Sequence, residues 1–459
     1  MNALVSLSVL GVIALISGLF SLRKMVIPIS VIGLIAVIGL SVADWDSSLR
    51  WYNDMLFINN YSIVFTSLMA FTTLLIVLLY SNQADSLDVP IAETVALLIF
   101  ALTGAMVMVS FSNLTMLFLG IEIMSISVYI LAGSRKRDFF SNEAALKYFL
   151  MGAFATGIIL FGIALLYGVT GSFHLTGIKQ YVINNVNTLP SIFYAGVLLV
   201  MVGMAFKISA VPFHFWAPDV YQGAPTVVTA FMATVVKTAG IAALYRLFSE
   251  AFGDIEGYWA KTLMIISALT MTVGNISAVV QTSVKRTLAY SSIGHAGYFL
   301  LAIFSMGNNS ANAILLYAAA YSLASVVLFL GVIMVEGQTK DDSFEGFNGL
   351  AKRNPLLAFG IAVALFSMAG IPPAAGFMAK FSVFSAAISK NYVWMVILAV
   401  VNSCIGIFYY FRIIKAMYMA DPTSEEKLSL SSIQNTVLVL TCILTILLGI
   451  APGLILNLI

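Results

Sequence analysis

Runs of about twenty apolar residues recur along the whole chain, and each is long enough to cross a hydrocarbon core roughly 30 Å thick as a helix. That recurrence constrains the fold more than any motif. Of 459 residues, 61% are hydrophobic and only 9% are charged. The chain is therefore expected to be an all-α integral membrane protein with almost no domain outside the bilayer. Fourteen spans are predicted, at 3–22, 25–43, 56–80, 90–110, 112–132, 142–170, 190–217, 224–249, 260–281, 284–305, 311–336, 355–386, 392–418 and 433–457. Spans 7 and 12 are long and broken by proline. The first is followed, not preceded, by Arg23 and Lys24, the reverse of a cleaved signal peptide, so it is expected to be retained.

The basic residues predict sidedness. Loops after odd-numbered spans hold fourteen of the 22 lysines and arginines, among them Arg135, Lys136, Arg137, Lys285, Arg286, Lys340 and Arg353; the opposite loops hold five, Arg246 among them. This bias places both termini on the outer side of the membrane. Lys207, Lys237 and Lys380 are left over, together with one deep carboxylate, Glu122. An ionisable group inside a span is costly, and each is read as functional by default.

Glu122 shares a helical face with Ser125 and Tyr129, and that polar face is expected to point inward. Lys207 precedes Pro212, where the helix loses a backbone donor and opens. Freed carbonyls at this depth need protein or water around them, so a hydrated site is expected there. Burial and a carboxylate pull a lysine's proton affinity in opposite directions, which suits a proton relay. Lys237 has Thr226, Thr229 and Ala233 along its face. In TLAYSSIGHAGYFL, the residues Ser291, Ser292, His295 and Tyr298 share one face, and Tyr317, Tyr321 and Ser325 repeat the theme in span 11. Such hydroxyls serve either as glue between helices or as the lining of a water path that His295 can join. His174 and His214 read as interfacial and not catalytic. Asp138, Glu143 and Lys147 are either proton-uptake groups or ordinary loop charges.

Span 12 carries its break at 370–373 before Lys380, whereas span 7 carries Lys207 before its break. A broken helix with a lysine, met twice in opposite order, is the trace of an inverted repeat. The chain then divides into three N-terminal helices (1–89), a first repeat of spans 4–8 (90–250), a second, inverted repeat of spans 9–13 (251–420) and a C-terminal helix (421–459).

Several classes are disfavoured. A net charge of +2 with no basic, aromatic-interleaved patch gives no reason to expect nucleic acid. Cys404 and Cys442 sit singly in apolar spans and read as small buried hydrophobes. With three scattered histidines and no paired cysteines, a zinc, haem or iron–sulfur site is not expected.

Three stretches carry a resemblance. PFHFWAPDVYQGAPTVVTAFMATVVK (212–237), KRTLAYSSIGHAGY (285–298) and GIPPAAGFMAKF (370–381) are similar to the antiporter-like membrane subunits of respiratory complex I and of multisubunit sodium/proton antiporters. The likeness spans at least residues 90–420. Lys380, where the M-type branch has glutamate, and the stop after span 14, where the L-type has a lateral helix, favour the N-type branch of complex I. The resemblance implies a proton-translocating subunit of a bacterial inner-membrane NADH:quinone oxidoreductase. In it Glu122 and Lys207 would form the coupling pair of one half-channel and Lys237 would link it to the second. Lys380 would release the proton outward, and His295, Tyr317 and Tyr321 would lie on the path between. It also implies no cofactor in this chain, with NADH, FMN, iron–sulfur clusters and quinone on partner subunits. The partners implied are antiporter-like subunit M, small K- and J-type subunits and the lipid bilayer. The alternatives are a sodium/proton antiporter subunit and a purely structural subunit whose charges are idle.

Overall fold

A computed structural model describes residues 1–20, 23–81, 91–307, 309–339, 341–422 and 426–459. Lys340 and the predicted span ends at 21–22 and 90 lie outside the described residues. Three helices open the chain: α1 (Asn2–Leu19), α2 (Arg23–Ala43) and α3 (Asn60–Tyr80). Next come α4 (Ile91–Ser110), α5 (Leu114–Ala132), α6 (Phe139–Thr170), α7 (Leu175–Asn185), α8 (Ser191–Lys207) and α9 (Trp216–Gly223). A π-helical turn, Met232–Val236, joins α10 (Thr226–Phe231) to α11 (Lys237–Glu250). Then follow α12 (Glu256–Val279), α13 (Val284–Phe304), α14 (Ser310–Thr339), α15 (Leu350–Arg353), α16 (Pro355–Ala369), α17 (Ala375–Ser389), α18 (Val393–Met419), α19 (Ser432–Ile450) and α20 (Gly453–Leu456).

Among the described residues, eleven helices are long and apolar enough to cross a membrane, or twelve if the bent pair ending in α16 is one span. The starts of these helices are chemically marked. The Asn113 side chain accepts from the Thr115 amide at the head of α5, Ser283 accepts from the Arg286 amide at the head of α13, and Asn59 with Ser62 forms a reciprocal cap on α3.

The structure departs from the expected plan of spans and loops in two places. Residues 56–58, predicted as the start of span 3, are instead strand β2 (Leu56–Ile58), paired antiparallel with β1 (Leu49–Trp51). The loop predicted at 171–189 contains α7, which buries Leu175, Ile178 and Val182. Both are short, and a three-residue strand leaves no period to read in the sequence.

Two helix pairs meet backbone to backbone where glycines face one another. A Cβ added to Gly104 on α4 would lie 2.5 Å from the Met124 amide of α5 and 2.6 Å from the Gly120 carbonyl; one added to Gly274 on α12 would lie 2.5 Å from the Gly294 amide of α13. Without side chains at these points the backbones touch, the arrangement by which helices associate where no water drives them together.

The turns between these paired helices dock in the same way. At the hairpin end, the Leu114 amide donates to Phe173 O and the Leu175 amide to Ser112 O, around a bridge between Asn113 and His174. At the other end, the Val284 amide donates to Asp342 O and the Phe344 amide to Thr282 O, around a bridge between Ser283 and Ser343. Both termini sit at the hairpin end: the Met1 amine lies 3.5 Å from Asp44, and Ile459 exchanges two hydrogen bonds with Asn312 at the head of α14.

The separation of loop charges from deep charges needs correction. Arg246, Lys285 and Arg353, assigned to aqueous loops, are buried. Arg246 donates to Val109 O (2.6 Å) and Phe57 O (3.4 Å) and pairs with Glu250 at 3.2 Å. The hairpin folds over it, so a residue near a helix end in sequence becomes a brace under a lid. Cys404 is exposed and Cys442 half-buried. Cys404 faces outward, and in a bilayer such a thiol can meet lipid chains as readily as protein, whereas Cys442 packs towards Gly360 of α16.

Candidate functional site

The two helix breaks prepare the site. Between α8 and α9 the chain leaves helical geometry from Ile208 to Phe215, with Ser209 at φ 62°. The groups released are recaptured by backbone turns, such as the Ala210 amide on Ala205 O at 2.9 Å, and by side chains: Trp216 Nε1 donates to Phe206 O at 3.1 Å, and the Val211 amide donates to Thr270 Oγ1 at 2.9 Å. Between α16 and α17 the chain turns through Gly370, whose φ of 81° only glycine adopts without cost. There the Gly376 amide donates to Ser367 Oγ at 3.0 Å. Both breaks are thus closed by protein groups, as non-helical backbone at membrane depth requires.

Each deep lysine is held in a similar way. Lys207, the last residue of α8, is 3% exposed and donates to Ser125 Oγ at 2.9 Å and Tyr129 OH at 3.3 Å. Lys237, first residue of α11 after the π-turn, is 2% exposed and donates to Ser292 O at 2.5 Å and to Ser292 Oγ. Its ammonium lies 5.8 Å from the centre of the Tyr321 ring. Lys380 on α17 is 7% exposed and donates to Ala369 O, at the break, and to Ser403 Oγ, at 3.0 and 2.7 Å. It sits 5.0 Å from the Tyr298 ring centre. No carboxylate lies within 4.0 Å of any of the three among the described residues.

His295 forms the centre of a connected row. Its Nδ1 lies 2.8 Å from Tyr317 OH and its Nε2 3.1 Å from Tyr410 OH, which in turn lies 2.5 Å from Ser291 Oγ. The Tyr321 ring packs 5.0 Å from the imidazole. A small cavity of about 10 Å³, room for roughly one water, is lined by His295, Tyr317, Tyr321, Ser367 and Lys380. Lys237, His295, the two tyrosines and Lys380 therefore lie in one neighbourhood.

Other expectations fare differently. Ser125 and Tyr129 point inward to Lys207, but Glu122 on the same helix is half-buried and makes no salt bridge to it within 4.0 Å. Its face of α5 turns partly towards the surface of the chain. Among the described residues no hydrogen bond joins the Lys207 group to the Lys237 group. His214 is buried, its Nδ1 without a partner among the described residues. His174 sits in the backbone bridge at the hairpin end. Asp138 caps α6 through the Phe140 amide, while Glu143 and Lys147 pair at 2.8 Å.

The sequence reading missed Tyr410 and Ser403, both on α18, and Asp219 on α9. The signal for the first two was present as polar residues within the apolar stretch NSCIGIFYY. Asp219 accepts from Lys147 at 2.7 Å and from Arg286 at 2.9 Å.

Comparison with known proteins fits this geometry. The model for the family described as NADH:quinone oxidoreductase/Mrp antiporter, TM, matches residues 112–406. NADH-quinone oxidoreductase subunit N of Cytophaga hutchinsonii is 41% identical over 457 residues, which cover 100% of this chain and 99% of the relative. The chain belongs to the NADH-quinone oxidoreductase subunit N family. Among solved structures, a chain of respiratory complex I from Thermus thermophilus, with aureothin bound, superposes with a TM-score of 0.84 at 32% identity, covering 99% of this chain and 98% of that one. A chain of the Mrp complex from Dietzia has a TM-score of 0.87 at 20% identity, covering 100% and 96%, and so shares the fold. The matched region of the family model takes in every lysine and tyrosine of the row except Tyr410.

Proposed function

We propose that this member of the family is a proton-translocating membrane-arm subunit of NADH:quinone oxidoreductase, coupling quinone reduction elsewhere in the complex to proton movement through buried side chains. It is a multi-pass membrane protein of a respiratory complex, and it contributes electrostatics and proton transfer to the oxidoreductase. One observation carries the reading: three buried lysines rest on hydroxyls and carbonyls and not on carboxylates. A charge held only by dipoles responds strongly when a neighbouring charge moves. Each unit of change in proton affinity is worth about 1.4 kcal/mol. In this reading Glu122 and Lys207 form the input pair. Lys237 passes the proton to His295 with Tyr317 and Tyr321 alongside, and Lys380 releases it.

The finer architecture follows. To the eleven long spans we add α1, α8 with α9, and α16 with α17, giving fourteen. Spans 4–8 and 9–13 form the inverted repeats. The matching glycine contacts of α4 with α5 and of α12 with α13 support this, as do the matching backbone bridges at Asn113 and Ser283 at opposite ends. The bias of basic loops supports a bacterial inner-membrane location with both termini outside. Subunit M and the small K- and J-type subunits are the proposed neighbours, and NADH, FMN, iron–sulfur clusters and quinone lie on partner chains.

Membrane vesicles test the reading. His295→Phe removes both ring nitrogens from the row while filling much of the same space. It should lower NADH-driven, quinone-dependent proton pumping roughly tenfold with the complex assembled. Normal pumping by that variant would sink the assignment. The shared fold of the Mrp chain supports a second reading, sodium/proton exchange outside a redox complex. Loss of salt tolerance with intact NADH-driven pumping in a strain lacking this chain would favour it.

A further inference from the structure

The Asp219 carboxylate lies outside the proton row, yet it touches both halves of the molecule. Its Oδ2 accepts from Lys147 of α6 at 2.7 Å, and its Oδ1 accepts from Arg286 of α13 at 2.9 Å. Arg286 also donates to Gln222 of the same short helix at 3.0 Å, and Glu143 holds Lys147 at 2.8 Å. All are about one-third exposed, at the end of the bundle opposite the hairpin.

Each arm of this bridge leads to a buried lysine. On one side Lys147 precedes Tyr148, whose ring stacks on Trp216 at 4.4 Å and 8° and meets Tyr129 edge-on at 4.7 Å. Trp216 Nε1 holds Phe206 O, next to Lys207, while Tyr129 OH accepts from Lys207 itself. On the other side Arg286 lies in the first turn of α13. About 9 Å further along that helix, Ser292 holds Lys237, and His295 follows one turn later. No hydrogen bond among the described residues joins the two lysine groups directly, so α9 is a contact common to both.

We propose that Asp219 is a positioning residue that sets the two half-channels relative to one another, by fixing α9 simultaneously against α6 and α13. When the bridge is closed, Trp216 caps the break beside Lys207 and Arg286 pins the helix that carries Ser292 and His295. Opening it loosens both at once, leaving α13 tied to α9 by Arg286 on Gln222 and Lys285 on Ala224 O. The link between the halves is then mechanical at this end, and any movement of α9 is felt at Lys207 and at Lys237 together. The functional part of this inference rests on the proton-translocation reading; the positioning part does not.

The test uses the assembled complex in native membranes and four variants: Asp219→Asn, Asp219→Glu, Lys147→Gln and Arg286→Gln. Amide hydrogen exchange is followed in two stretches, 203–216 and 285–298, alongside proton yield per NADH. Asp219→Asn should speed exchange in both stretches roughly tenfold, as expected for losing two partly screened ion pairs, and should lower the proton yield. Lys147→Gln should affect only the first stretch and Arg286→Gln only the second. Wild-type exchange in either stretch of Asp219→Asn overturns the proposal. Should Asp219→Asn fail to assemble, Asp219→Glu must assemble and exchange like wild type, and a failure there would assign the defect to packing and overturn it too. Two-sided exchange in Asp219→Asn with normal pumping in His295→Phe would discard the proton row while leaving Asp219 as the positioning residue.

Discussion

Lys207→Ala should lower quinone-dependent proton pumping in membrane vesicles roughly tenfold or more while leaving the complex assembled. The substitution deletes the ammonium that two neutral hydroxyls, Ser125 and Tyr129, are placed to receive, and leaves no cationic group in that pocket. Lys207→Arg makes the sharper comparison. It keeps the positive charge but cannot be deprotonated in a protein. If the site only needs a fixed charge to brace α5 against α8, arginine should restore pumping. If the site must give up its proton in each cycle, arginine should be as defective as alanine, and that is the outcome expected. Normal pumping by both variants with full assembly would leave the chain a structural subunit.

Gly274→Leu should destabilise the fold severely. The added Cβ would lie 2.5 Å from the Gly294 amide nitrogen and 2.9 Å from its Cα, and a leucine extends further still. Backbone cannot yield as a flexible side chain can, so α12 and α13 must part. Overpacking of this kind costs about 3 kcal/mol or more, a large share of the ~5–15 kcal/mol that holds a domain together. The expected result is loss of this chain, and of the complex, from the membrane on native gels. Gly257→Leu, with nothing within 4 Å of its added Cβ, should accumulate normally. Equal accumulation of the two would refute the claim that the paired helices meet backbone to backbone.

The membrane class and the deep lysines were legible in the sequence because both depend on rarity. An ammonium with ten apolar neighbours on either side stands out without any knowledge of what it touches. Partners are another matter. Tyr410 reaches His295 from 115 positions away and Ser403 reaches Lys380 across 23, and local periodicity contains no record of which helices become neighbours. Helix α7 was recoverable, since Leu175, Ile178 and Val182 stand at helical spacing in an otherwise polar stretch. Arg246 misled because counting loop charges assumes that a helix end is wet, whereas here the hairpin covers it. Glu122 shares a helical face with Ser125 and Tyr129, but burial changes along that face: the two hydroxyls are buried against Lys207, whereas Glu122, one turn earlier, is half-buried.

The row through His295 has a consequence for timing. A neutral imidazole donates from one nitrogen and accepts at the other, so Ser291, Tyr410, His295 and Tyr317 must orient their hydrogens in one sense or its mirror image. A proton handed along the row leaves every member reversed. A second proton cannot follow in the same direction until each hydroxyl has rotated and the imidazole has changed tautomer. In the proposed relay the row would therefore carry one proton per stroke and then require a reset before the next.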